Sequence, residues 1–331
     1  MNRSIDQAIL DALEGQDDYV SGEDLSRRLG LSRAAIWKRI QTLRGLGYGI
    51  TARRHLGYTL SQKPDRLSSW EISRNLQTRR IAREIHVSGE VTSTNEVAYE
   101  MALEGAEEGV VVIAESQTQG RGRMKRSWFS PPGRNLYLSL ILKPRILPQL
   151  VPMLTYVGAV SIAEALEKSF ALKVEVKWPN DILAQGRKLA GLLNEVKAEA
   201  DGVDFVVLGF GVNLNTAKES FPGELRPSAT SVMQQLGHSV SRVDFTRGLL
   251  QSIEKWYDTF LVEGGDRIIE KWETLARIRG KMVEVRSFGK IHRGVAEGLD
   301  REGALIIHGE EGQRKRIVAG DLRETPVERH A

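Results

Sequence analysis

Residues 117–139 read QTQGRGRMKRSWFSPPGRNLYLS, a glycine-spaced run of cations that breaks at Ser130-Pro131-Pro132-Gly133 and passes into a strand. The strand signal is the alternation Leu136-Tyr137-Leu138-Ser139-Leu140. Gly120 and Gly122 let backbone N–H groups approach an anion closely, and Arg121 and Arg123 bring forked donors suited to phosphate or carboxylate. Such a loop is expected to be loose when empty and to order around an anionic ligand. Taken alone, GRGR is more often a solvated basic loop or an Arg/Gly contact to nucleic acid, because short basic motifs match by chance.

Working outward, an apolar strand at 110–115 feeds the loop through Gln117, and 136–142 leaves it. Upstream, the spacing predicts a helix near 69–78, a strand near 82–87, and a helix opened by Ser93-Thr94-Asn95-Glu96. Ser93 and Glu96 form a capping box by spacing, and the positive end of such a helix also suits a carboxylate or phosphate. Downstream come a long helix at 150–170 and a strand at 173–178, closed by Pro179. Asn180-Asp181 alone is a turn.

Lys188 opens an apolar strand, where its ammonium has no packing use. It would neutralise phosphate and carboxylate oxygens together, or it is an edge lysine that discourages aggregation; in isolation the two readings are evenly matched. The strand runs on through 195–200 to a turn at Asp201-Gly202, and the next, starting at 205–208, ends in Gly209-Phe210-Gly211-Val212-Asn213. Glycines flanking Phe210 permit close approach, and Asn213 is placed toward a pocket. Helices are expected at 227–237, 243–262 and 266–276. Short strands at 282–286, 291–299, 304–308 and 314–318 then suggest an SH3-like β-barrel.

The N-terminal segment has its own charge signature. Residues 1–31 hold three Lys/Arg against seven Asp/Glu, whereas 32–63 hold seven and no acid. Two short helices, a Gly30-Leu31-Ser32 turn and a basic third helix make a helix-turn-helix, and two strands with Arg53, Arg54 and His55 at their tip make a wing. In that geometry Ser32, Arg33, Ala34, Trp37 and Lys38 face the major groove, while Arg53, Arg54 and His55 meet phosphates or the minor groove. Winged helices also serve as protein-binding modules, which is the alternative. Pro64 ends the wing, with a linker near 61–68.

At 331 residues the chain exceeds one ordinary core, and domains are expected at 1–63, 68–276 and 277–327. The fold class is α+β: a winged helix-turn-helix, a mixed-sheet α/β domain and a small barrel. With no cysteine, every thiol-nucleophile mechanism and Cys-based zinc site is excluded. No apolar run approaches the roughly 20 residues that span a bilayer, and the acidic N-terminus lacks a signal pattern, so the cytoplasm is expected. Net charge is only +4, so the local charge switch matters more than the total.

Taken together, GRGR with Arg126, Trp128, SPPG and NLYLS, the Ser93-Thr94-Asn95 segment, and KWPNDI followed by RKLAGLL resemble the biotin protein ligases in order and spacing. The family form carries Arg-Gly where this chain has Met124-Lys125. The resemblance covers essentially the whole chain and implies a class II synthetase-like catalytic domain, with biotin, ATP and Mg²⁺ as ligands. It implies biotin contacts from Ser93, Thr94, Asn95, Gln117, Arg121, Gly122, Arg123 and Lys188. ATP or adenylate would meet Gly120, Trp128, Asn180, Asp181, Gly191 and Asn213. Lys188 would serve carboxylate and α-phosphate, and Arg121 and Arg123 would clamp phosphate. Asp181 would help hold the metal or the acceptor lysine, and Trp128 would cover adenine or pack the closed loop. The implied partners are a biotin carboxyl carrier protein, operator DNA through the wing, and a second copy in an adenylate-dependent homodimer. The rivals are a lipoate or octanoate ligase and a non-enzymatic biotin-sensing regulator.

Overall fold

The computed structural model describes residues 5–15, 18–199, 202–309 and 312–324, and the chain divides into two compact units, Met1–Arg66 and Leu67–Ala331. In the first, α1 (Ile5–Leu13), α2 (Gly22–Leu29) and α3 (Arg33–Gly45) precede the antiparallel hairpin β1 (Gly49–Arg53) and β2 (Gly57–Gln62). The predicted caps hold: the Ser21 hydroxyl accepts from Asp24 N, Ser32 accepts from Ala35 N, and Gly30 ends α2 in the left-handed region. Ile9, Leu13, Leu25, Ile36, Ile40 and Leu43 form a shared apolar interior. Gly57, at φ +116°, lies where a Cβ would collide with the Val20 backbone, which bridges to Tyr58. This is a winged helix-turn-helix.

The second unit begins with α4 (Ser69–Ser73), β3 (Ile85–Val91), α5 (Thr94–Leu103), β4 (Val111–Gln117), β5 (Leu136–Leu142) and α6 (Val151–Phe170). It continues through β6 (Glu175–Lys177), β7 (Asp181–Ala184), β8 (Arg187–Glu199), β9 (Gly202–Val212), α7 (Val232–Leu236), α8 (Arg242–Glu263) and α9 (Asp266–Ala276). Seven strands form one mixed sheet in the order β3-β4-β5-β9-β8-β7-β6, with only β3 and β4 parallel.

Period-two alternation sorts the side chains to two faces. Val111, Ile113, Leu138 and Leu140 join α6 and α8 in the main core, while Val110, Val112, Ile141, Phe205 and Val207 pack under α5. The α5 face is the one that carries the site.

Several elements differ from their sequence reading. The span Pro148–Phe170 is long and apolar enough to cross a bilayer, contrary to expectation, but 72% of its most apolar window is buried. It packs against the sheet, α8 and α9, and its exposed polar residues gather in the last turn at Glu167, Lys168 and Ser169. The helix expected at 227–237 shrinks to α7, because the backbone of Ser228 and Thr230 instead bonds the edge at Lys188. The helix expected near 69–78 stops at Ser73, with Asn75 left-handed, and the following strand starts three residues late after Ala82, also left-handed. Of the turn expected at Asp201-Gly202, Asp201 lies outside the described residues, as does Ala200 at the expected strand's end; so do 325–327 of the last domain.

The C-terminal strands β10 (Met282–Ser287), β11 (Lys290–Leu299), β12 (Leu305–His308), β13 (Arg314–Ile317) and β14 (Asp321–Glu324) form an SH3-like antiparallel sheet in the order β13-β12-β11-β10-β14. The sequence reading missed β14, whose DLRE is short and largely polar. Tyr156 of α6 ties this sheet to the larger one by donating to the Gly303 carbonyl at 2.6 Å and packing edge-on to Trp272.

Candidate functional site

Three glycines make the floor. Gly191 pairs with Gly211 and Leu193 with Gly209 across β8 and β9, so one sheet face lacks side chains where others press in. A Cβ on Gly209 would collide with the Asn95 carboxamide, and one on Gly211 would sit 2.5 Å from the Trp128 ring. Above them α5 presents Ser93, Thr94 and Asn95, all buried. Asn95 Nδ2 donates to Leu193 O (3.2 Å) and Glu195 Oε2 (2.8 Å), while Ser139 Oγ lies 2.6 Å from Asn95 Oδ1 and 2.8 Å from Thr94 Oγ1. Gln117 Oε1 accepts from Thr94 N (2.8 Å), and its amide donates to Ser130 (2.9 Å). The floor is therefore a connected polar network, rigid because each member orients the next.

The capping box expected of Ser93 and Glu96 does not form. Ser93 is the N-cap residue but makes no side-chain cap bond. Glu96 turns outward to accept from the Thr92 hydroxyl and from Arg121 Nη2, at 2.5 Å. A charged guanidinium within reach is a stronger partner for a carboxylate than its own helix amide.

That guanidinium belongs to the basic loop, which is a tight hairpin rather than a loose strand of cations. Arg121 bridges to Ser127, Gly122 N donates to Arg126 O (2.7 Å), and Trp128 N donates to Gly120 O (2.8 Å). Met124 and Lys125 both sit in the left-handed region at the tip, φ +56° and +61°. Glycine at the second position, as in the family form, would adopt that turn without strain. Each arginine has a partner: Arg121 reaches Glu96 and Glu195, Arg126 pairs with Asp321, and Arg123 Nη1 lies 3.4 Å from Asn180 Oδ1 and 3.3 Å from Gly320 O. Burial pulls the Arg123 guanidinium below its ordinary value, against the opposing pull of Asp321 and Asp181.

Lys188 reaches the same face through a register shift in the β7/β8 ladder, where Ile182 pairs with Ala190 but Leu183 with Lys188. One extra residue re-aims the side chain. Its ammonium lies 2.6 Å from Asp181 Oδ1 and 5.4 Å from the centre of the Trp128 ring. The Trp128 indole N–H is buried without a partner, so the wall holds an unsatisfied donor.

These elements enclose a cavity of about 520 Å³. Ser93, Thr94, Asn95, Gln117, Arg121, Gly122, Arg123, Trp128, Asn180, Asp181, Lys188, Gly191 and Asn213 all line it. Gly120 lies behind the wall, where a Cβ would be 2.5 Å from the Trp128 carbonyl. Two lining amides are engaged within the protein: Asn213 Nδ2 donates to Thr230 O, and Asn180 Nδ2 to Leu192 O.

The sequence reading missed the apolar end made by Phe129, Phe221, Leu225 and Ala229, and the far wall of Asp321, Leu322 and Arg323. Phe129 sits in the quoted loop, 6.0 Å ring to ring from Phe221, but nothing local marks either as lining.

One pH effect follows from this geometry. The Thr92 hydroxyl, and then Arg121, hold the Glu96 carboxyl below its ordinary value. A depressed folded value means the hairpin tether is fully present above the ordinary glutamate range of about 4.3 and is lost as pH falls through the folded value. Amide exchange over 121–127, corrected for intrinsic rates, is expected to be unchanged from pH 7 to 5 and to accelerate only as pH falls below the ordinary glutamate range. Glu96→Gln should show the faster rate at every pH.

In the N-terminal unit, Ser32, Arg33, Ala34, Trp37 and Lys38 are all exposed along one face of α3, and Arg53, Arg54 and His55 are exposed at the wing tip. Trp37 is 57% exposed, which no packing need explains.

Three known sequence families match successive parts of the chain: an HTH domain over 6–59, the biotin/lipoate A/B protein ligase family over 88–213, and the biotin protein ligase C-terminal domain over 279–322. The chain is 38% identical to the bifunctional ligase/repressor BirA of Bacillus subtilis over 92% of its own length and 94% of that protein. It is 33% identical to the BirA of Escherichia coli over 94% of both. Among solved structures, the biotin protein ligase of Aquifex aeolicus in complex with biotin and ATP aligns with a TM-score of 0.64 at 28% identity, covering 73% of this chain and all of that one. On these matches the chain belongs to the bifunctional ligase/repressor family of biotin protein ligases.

Proposed function

We propose that the cavity binds biotin and ATP and joins them. The observation that carries this is the convergence on one cavity of a glycine-floored polar network, the Lys188 ammonium and three loop arginines. A biotin carboxylate oxygen attacks the α-phosphorus of ATP and pyrophosphate leaves, giving biotinyl-5′-adenylate. Two anions must meet, so the demand is for cations and position rather than a protein nucleophile. Lys188 serves the carboxylate and α-phosphate, and Arg121 and Arg123 exchange their present carboxylate and carbonyl partners for phosphate. The lysine amine of a biotin carboxyl carrier protein then attacks the anhydride carbonyl, AMP departs with the bonding pair, and the amine proton goes to solvent.

The apolar end at Phe129, Phe221 and Leu225 suits a planar base, with the Trp128 N–H free to donate to ligand. Among the described residues no group of three acidic or histidine side chains stands ready for a metal. Asp181 would help hold a Mg²⁺ ion brought by the triphosphate, and the ion would neutralise phosphate charge there, consistent with its habit of keeping waters and phosphates.

Pyrophosphate release tests this reading. It is expected with ATP and biotin, and not with lipoate or octanoate. Release with either of those acids alone would make the chain a lipoate-type ligase, and none at all would leave a biotin sensor.

The winged helix gives the adenylate a second use as corepressor: it favours a homodimer that presents two recognition helices to a palindromic operator. A protein using ATP and operator DNA in this way works in the cytoplasm. If about five of the exposed cations reach phosphates, log affinity falls against log salt with a slope of about −4 to −5. A slope near zero would make the wing a protein-binding module.

A further inference from the structure

We infer that Glu195 is a positioning residue that couples the floor of the cavity to its lid. The inference rests on the ligase reading. Glu195 lies on β8 two residues beyond Leu193, on the glycine-floored face. Its Oε2 accepts from Asn95 Nδ2 at 2.8 Å, and its Oε1 lies 3.5 Å from Arg121 Nη1. One carboxylate thus helps fix the Asn95 amide, whose Nδ2 also donates to Leu193 O and whose Oδ1 meets Ser139 Oγ, and at the same time touches an arginine of the hairpin.

The two contacts make different demands. Orienting Asn95 requires an acceptor at that spot, charged or not, because Asn95 Nδ2 must point toward Glu195 for Oδ1 to face Ser139. Holding Arg121 requires the charge. The contact at 3.5 Å between half-exposed groups is weak, so Arg121 remains able to move to a ligand phosphate. Glu195 therefore sets the polarity of the floor for the first substrate and, beside the shorter Glu96 contact, competes with ligand phosphate for Arg121 of the lid.

Glu195→Gln and Glu195→Ala separate these functions. The glutamine variant keeps an acceptor for Asn95 and loses the charge. It should keep KM for biotin within about two-fold while adenylate dissociates about 2- to 5-fold more slowly, because Arg121 then has one carboxylate fewer to leave for the phosphate. The alanine variant loses both and should raise KM for biotin roughly 10-fold as well, with kcat changed less. Equal behaviour of the two variants, or unchanged KM and dissociation in both, overturns the inference. Glu195→Gln is close to isosteric and keeps the test valid if the alanine variant fails to fold. Absence of adenylate from the parent protein would instead remove the ligase reading beneath it.

Discussion

Lys188→Ala is expected to slow adenylation about 100- to 1000-fold in single-turnover measurements, the usual size of effect when one preorganised charge at a reacting centre is removed. The register shift puts the ammonium on the glycine-floored face, between Asp181 and the Trp128 ring. The strand itself is held through main-chain bonds, Lys188 N to Ser228 O and Thr230 N to Lys188 O, which alanine preserves. Fold and cooperative unfolding should therefore survive while chemistry fails. Lys188→Arg should recover little, because a longer planar fork with spread charge does not reproduce the compact point charge held 2.6 Å from Asp181 Oδ1. The opposing view, a lysine that merely guards a sheet edge, predicts parent-like adenylation and poorer solubility.

Arg242→Ala should produce the largest loss of stability, about 3–5 kcal/mol, since removing one member of a buried ion pair strands the other. Arg242 is 1% exposed, and its Nη1 donates to Glu115 Oε2 at 2.6 Å and to Asn135 O at 3.3 Å. Glu115 also accepts from the Leu67 amide, while its own carbonyl receives Gly133 N from the turn after the basic loop. One pair thus pins the start of the second unit, strand β4 and helix α8 together. Denaturant unfolding of the full chain measures the loss. Replacing both partners, Glu115→Leu with Arg242→Met, should recover a large part of it, because no charge is then left buried without its counterion.

Motifs whose chemistry lies in the local sequence were legible in advance. Arg121, Gly122, Arg123, Ser93–Asn95, Lys188 and Asn213, each marked by its local motif, line one cavity, and the α3 residues picked out by the helix-turn-helix pattern are exposed. Residues that join the site through sheet register gave no such sign. Ser139 reads as an ordinary polar position in an alternating strand until β5 lies beside β9 and brings it to Asn95. Glu195 reads as the solvated end of β8 until Asn95 and Arg121 close on it.

Asp321 lies 195 residues from Arg126, beyond any pattern of spacing, and is brought near only by the pairing of β14 with β10. Ser93 and Glu96 show the reverse failure. Their spacing is that of a capping box, and only the distant Arg121 decides that Glu96 faces outward. The long apolar helix was legible as a helix, but its burial is a property of the sheet and helices packed on it.

ATP-dependent transfer of biotin to a purified carrier domain, followed by mass for the parent and Lys188→Ala side by side, tests the central claim most directly. The parent should add one biotinyl group to a single acceptor lysine with release of AMP, and the variant should add almost none over the same time. Equal transfer by both would remove Lys188 from the chemistry, and no transfer by the parent with biotin and ATP at saturation would contradict the ligase account as a whole.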